Sequence, residues 1–462
     1  MQQRTTTDRK QEASPAPSTG RPVRQLAPFT AALSGSDGLG LQLHSFCETL
    51  YPIQRSLTGP GVDATLTHLA TRIPLKRMSI ASGTPVFDWT VPDVWQCDEA
   101  FIENERGERI VDASRHGLHL VGYSRPVDRW MPRDDLLRHV HTLPDQPGLI
   151  PYRTTYYADS WGFCMTNETA AALPEGRYRA VVRSRLEPGE LVWGEYVHEG
   201  TTDHEVLLTT HICHPWLAND NCSGLAVLTT LAALLRGRKT RLTYRFLFAP
   251  GTIGALCWLS RNEHRLDRIV AGLSLSCLGD AGGPTYKRSR RGNTTVDRAA
   301  VLALSENFPE ATIEDFSPYG YDERQYCSPG FDLPFGSLQR SRWGKFPEYH
   351  TSADDLDFIK PAELERSLRL LASTLDIIDG DWTPISLCQK GEPQLGRRGL
   401  YAATGGDPSA AERNMAMLWV LNLADGRHSL VAMAERSRLP FQRLAEAADL
   451  LSNADLLTPR PD

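Results

Sequence analysis

A chain of 462 residues is too long for one ordinary hydrophobic core, and two or three folding units are expected. Hydrophobic residues make up 41% and charged residues 23%, a globular composition with too little charge excess to stay unfolded. Fifty Lys and Arg against 56 Asp and Glu leave a net charge of −6, so no bulk attraction draws the chain to phosphate backbones or anionic membranes. No run reaches the roughly 20 apolar residues a membrane span needs, and no apolar signal core follows the charged start, which reads as cytoplasmic. The nine cysteines are scattered without a CxxC pair and read mainly as packing residues in a reducing compartment.

In chain order, residues 1–25 are polar, rich in Ser, Thr and Pro, and expected to be disordered. Two helical patterns follow within 38–75. Residues 76–185 alternate apolar and polar positions with frequent Gly, Pro and aromatics, the texture of an inserted β-rich domain. Its tryptophans Trp89, Trp95 and Trp161 read as core. From 186 to 390 continuous apolar runs (EVLLTTHI, LTYRFLFAP, GLSLSCLG) alternate with helical stretches, which predicts an α/β domain with ligands at the C-terminal strand ends. Residues 392–462 hold three helix-like segments compatible with a winged helix. From Glu392 onward there are eight Arg, nine acidic residues and no Lys, a balance that points to docking or homo-oligomerisation and away from nucleic acid.

The densest chemistry is THICHPWLANDNCSG, Thr210 to Gly224, between a strand and a helix. His211, His214 and Asp220 are of the type that zinc takes, and His350 in FPEYHTSADDLDFI is a distant fourth candidate. Cys213 and Cys222 flank the loop without a paired base, leaving a thiol nucleophile as the weaker alternative. The basic run Lys287, Arg288, Arg290 and Arg291 is a solvated loop or, in a cleft, a carboxylate clamp.

HxxH…ND(N)xSG together with YHTSxDDLDxI resembles the zinc-dependent aminopeptidases with a co-catalytic metal pair. The closer resemblance is to an aminopeptidase-like branch with an inserted β domain and a C-terminal winged helix, carried also by RSLTGPG, FDWTVPDVW, HTLPDQPGLIPYRTTYY and YDERQYCSPGFDLPFGSL. It implies a mixed sheet flanked by helices. It places the first-strand histidine on His211, with His214 as an addition, the bridging aspartate on Asp220 and the last ligand on His350. The family's glutamate pair falls on Gly251 and Thr252, and a later aspartate ligand on Ser276, so one zinc ion is expected rather than two. Asp322, Glu323 and Glu348 are the carboxylates left to serve as base, Glu323 first, and Arg324, Tyr349 and Arg288 the candidates for substrate contact. The implied activity is hydrolysis of an amide in a small peptide or aminoacyl conjugate; the alternative is a catalytically silent binding protein with the same fold.

Overall fold

The computed structural model describes residues 27–35, 37–400 and 408–461; the polar segment 1–25 lies outside them. Eight strands form the main sheet: β1 (Lys76–Ala81), β2 (Glu190–His198), β3 (Glu205–His211), β4 (Thr243–Ala249), β5 (Ile269–Leu275), β6 (Thr285–Lys287), β7 (Thr312–Glu314) and β8 (Phe335–Gln339). Their order is β1-β2-β4-β3-β5-β8-β6-β7. The inner four, β4-β3-β5-β8, run parallel. β2 extends one edge antiparallel to β4, and β1 pairs antiparallel with β2 in turn. All seven residues of β3 are buried, as its unbroken apolar run requires of a strand covered on both faces.

Alternation along the strands splits the core in two. Val206 and Leu208 face the helices Leu39–Leu50, Gly224–Leu234, Thr295–Asn307 and Pro361–Gly380. The longest of these begins with Pro at its first position, where a missing N–H costs nothing, and buries Leu364, Leu368, Leu371, Leu375 and Ile378 on one stripe. Leu207 and Leu247 face the helix Ile253–Asn262 and a core continuous with the inserted domain through Trp95, Ile102 and Val182.

The insertion is built on a four-stranded antiparallel sheet of Val94–Asn104, Arg109–Asp112, Val127–Pro132 and Arg177–Glu187. Lys76–Ala81, placed by sequence texture in the insertion, instead pairs with β2 at the edge of the main sheet. The C-terminal helices Pro408–Leu423, Leu430–Ser437 and Phe441–Asn453 are closed by an antiparallel ladder between Pro384–Ser386 and Leu457–Pro459. The module thus recruits a strand from before the polar stretch that sequence texture takes as its boundary. It docks on its own α/β domain: Arg298 pairs with Glu435 at 2.6 Å, and the Phe441 N–H donates to Glu306 Oε1 at 3.1 Å. Among the described residues no helix is long and apolar enough to cross a membrane.

Candidate active site

His211 is the last residue of β3, and the buried turn Ala218–Ser223 leads from its loop into the helix Gly224–Leu234. The parallel strand ends bring this loop beside the turn after β4 and the segment carrying His350, the position where open α/β sheets place their ligands. Asp220 lies between two histidines. Its Oδ1 is 2.7 Å from His211 Nε2, and its Oδ2 is 3.0 Å from His350 Nε2. His214 completes the group: ligand atoms of His211, His214 and Asp220 all lie within 4.8 Å of one another, and all three residues are buried.

Burial alone would raise the Asp220 pKa, but the facing His214 and His211 rings and the hydrogen bond from His350 hold it well below the usual carboxylate range. Burial, with His211 and His350 nearby, keeps His214 neutral against the pull of Asp220. An ionised carboxylate beside a neutral imidazole is a metal-ligand pair. His211 Nε2 decides the fit. It is buried and, despite its 2.7 Å approach to Asp220, makes no hydrogen bond. A sealed ring nitrogen that meets a carboxylate oxygen at 2.7 Å outside hydrogen-bond geometry is placed to share a cation with it. The donors therefore fit a cation at His211, His214 and Asp220, with His350 on the far oxygen of the carboxylate.

A second layer fixes the loop. Asp354 accepts from the Asn219 N–H at 2.5 Å and the Asp220 N–H at 3.0 Å, while Asn221 Nδ2 donates to Thr210 Oγ1 at 2.6 Å. Arg55, 1% exposed, donates to the His214 carbonyl at 2.8 Å. His350 itself sits at φ 56°, a left-handed conformation that a non-glycine residue holds only when its surroundings impose it, and such strain gathers at functional sites.

A cavity of about 500 Å³ opens over this group, lined by His214, His350, Tyr321 and Arg324 on one side and by Trp89, Tyr152, Arg153 and Tyr156 of the inserted domain on the other. The structure brings the four proposed metal ligands together and leaves the proposed bases out of the cavity lining. Glu323 is fully buried, paired with Lys287 at 2.8 Å, and accepts from the Tyr321 N–H at 2.9 Å. Asp322 is also buried, and burial pushes its carboxyl well above the usual range. Neither they nor Glu348 line the cavity. Of the proposed substrate contacts, Arg324 lines it. Tyr349 stacks on His350 with ring centroids 3.9 Å apart, and Arg288 points at the Gly292 carbonyl and Asp315 instead. Ser276, where a second cation would want a carboxylate, is 2% exposed. The Cys213 thiol is pushed up to about 12 by burial, which removes the thiolate that a nucleophile needs.

Sequence reasoning missed Tyr321. A Cβ built on Gly251 would meet the Tyr321 ring at 2.3 Å and its hydroxyl at 2.4 Å, so the phenol fills the space a side chain at position 251 would take. Its ring lies 4.0 Å from that of His211, and burial raises its pKa well above the ordinary phenol value. The signal was present in YDERQYC, but charge drew the reading to its carboxylates. Trp89 was also misread: it is 45% exposed and walls the cavity, whereas Trp95 is core.

A family described as a domain of unknown function, DUF4910, matches residues 44–381. The chain belongs to that family. A winged helix-turn-helix family matches residues 382–459, the interval closed by the 384–386 ladder. The chain is 42% identical over 425 residues to a Clostridium acetobutylicum protein provisionally named a polysaccharide biosynthesis protein with an aminopeptidase-like domain, covering 92% of this chain and 98% of that one. A crystal structure from the same organism, provisionally described as a peptidase, superposes with a TM-score of 0.86 at 42% identity, over 91% of this chain and 96% of that one. The zinc aminopeptidase of Bacillus subtilis shares the fold at a TM-score of 0.54 and 14% identity, over 73% and 94% of the two chains. The aminopeptidase-like α/β fold with a C-terminal winged helix is thus shown for this DUF4910 member.

Proposed function

We propose that the chain is a metal-dependent hydrolase that cleaves an amide of a small peptide or aminoacyl conjugate, with one zinc ion held by His211, His214, Asp220 and His350. The observation that carries this reading is Asp220, an ionised carboxylate that turns one oxygen to His211 and the other to His350 beneath an open cavity. Zinc in such a site supplies a Lewis acid and a bound water of lowered pKa. The chain's own groups do the rest. His211 and Asp220 would hold the ion, Asp354 and Asn221 fix their loop, and Tyr321, kept protonated by burial, would donate a hydrogen bond to the carbonyl oxygen as negative charge develops there. The name of the Clostridium relative supports an aminoacyl or N-acyl sugar conjugate as the amide. A silent binding protein is the second reading, favoured by the absence of any carboxylate from the cavity lining and by Tyr321 in the place of a base. Elemental analysis tests the first reading: wild type should hold about one zinc per chain, and Asp220→Ala and His350→Ala should each lose most of it. Full occupancy in both variants, or an amide panel left wholly uncut by the zinc-loaded protein, would overturn it.

A further inference from the structure

The cavity lining combines two kinds of chemistry. His214 and His350 line it beside Asp220, and Arg324 and Arg153 line it as well. Arginines of the neighbouring loops are paired, Arg290 and Arg291 with Asp332 and Arg342 with Glu314. Arg324 and Arg153 make no ion pair and no side-chain hydrogen bond among the described residues. The Arg324 Nε is shielded from solvent and donates to nothing, an expensive state for a cation unless a ligand supplies the acceptor. No carboxylate lines the cavity. Asp322, two positions before Arg324, is itself buried; burial pushes its carboxyl up while the Arg324 charge pulls it down, and it does not line the cavity. Much of the remaining lining is aromatic: Trp89 and Tyr157 are 45% and 54% exposed with ring centroids 5.4 Å apart, and Tyr152 lies 5.0 Å from the His350 ring.

We infer that the cavity selects a ligand whose non-reacting end bears a carboxylate, gripped by Arg324 with Arg153 at the rim, while its amide faces the histidines. The planar guanidinium fork matches a carboxylate in two parallel hydrogen bonds, and a volume of about 500 Å³ fits a dipeptide or a single acylated sugar ring. The inference rests on the amide-hydrolase reading for which end reacts, and on the unpaired arginines of the cavity alone for the charge preference.

Titration calorimetry on the purified full chain separates the two. The probes are N-acetylglutamate against its neutral isostere N-acetylglutamine amide, and N-acetylgalactosaminuronate against N-acetylgalactosamine. At least one acid should bind about tenfold or more tighter than its neutral partner, and added salt should weaken that preference. Arg324→Ala should erase the preference, Arg324→Lys should keep part of it, and Arg153→Ala should reduce it. Whichever acid wins assigns the source, peptide or glycan. Equal binding of acid and neutral partners, no binding of either acid, or a preference that survives Arg324→Ala would overturn the inference, the last because it would mean capture at the histidines. Failure to cut any amide overturns the hydrolase reading and leaves the charge preference standing; turnover without a charge preference does the reverse.

Discussion

Replacing Glu323 by Gln is the sharpest test of how this site is assembled, because the same residue is either a catalytic base or a structural pin. Glu323 is fully buried and Lys287 is 1% exposed, with 2.8 Å between them. Lys287 also donates to the Tyr319 carbonyl at 2.8 Å, and Glu323 receives the Tyr321 N–H. Removing one charge strands the other in a sealed environment, a loss of about 3–5 kcal/mol for buried pairs. Glu323→Gln and Lys287→Met should each cost that much in denaturant unfolding followed by tryptophan fluorescence. The double variant Glu323→Gln/Lys287→Met should recover much of it, giving a coupling of about 2 kcal/mol or more. Because Glu323 anchors Tyr321, the single variant should also loosen the wall over His211. A cost below about 1 kcal/mol, as for an exposed pair, with amide turnover abolished and metal content unchanged, would refute the reasoning and restore Glu323 as the base.

Gly251→Ala should destabilise by about 1–3 kcal/mol through overpacking against Tyr321, and the cost should largely vanish in Gly251→Ala/Tyr321→Gly; an unstrained single variant in thermal melts would show that the two do not compete for space. At the edge of the insertion, burial raises the Asp112 pKa, but hydrogen bonds from Ser114 and Arg109 outweigh it and bring it down to about 2 from 3.8. A depressed carboxyl contributes stability above its unfolded pKa and loses it as pH falls through the folded one. Ser114→Ala should therefore move acid unfolding to higher pH, with no change at pH 7 in the slope of stability against pH. In the tail, the N-terminus of the helix Phe441–Asn453, the end that a DNA-reading helix would insert in the major groove, is tied to Glu306. Fluorescence anisotropy should find no salt-sensitive binding to arbitrary duplex DNA tighter than about 10 μM.

The unbroken apolar run of β3, the helical stripes and the histidine-rich loop at a strand end were all legible, because burial on both faces and 3.6-residue spacing leave marks in one sequence. His211, His214 and Asp220 stood out because imidazoles and a carboxylate are conspicuous residue types in one short loop, and His350 joined them only through the resemblance to the aminopeptidases. What could not be read was partnership across the fold. Nothing near Glu323 in sequence announces Lys287, 36 positions earlier, as its mate. Charged residues in YDERQYC drew attention that belonged to the tyrosine. Exposure was similarly hidden: Trp89 and Trp95 sit six residues apart in the same aromatic texture, yet one walls the cavity and the other fills the core.

The cavity's two walls come from separate stretches of chain, the insertion on one side and the strand-end loops on the other. Such a division lets the two halves evolve on different schedules. Substitutions at Trp89, Arg153 or Tyr157 can reshape what fits while His211 and Asp220 stay untouched, and a change in the loop around Asp220 alters the chemistry without redrawing the ligand's outline. Members that share the metal-ligand loop but differ between residues 82 and 188 are then expected to diverge first in what they accept and only later in what they do to it, and exchanging that segment between two of them offers a way to transplant selectivity on a constant reaction centre.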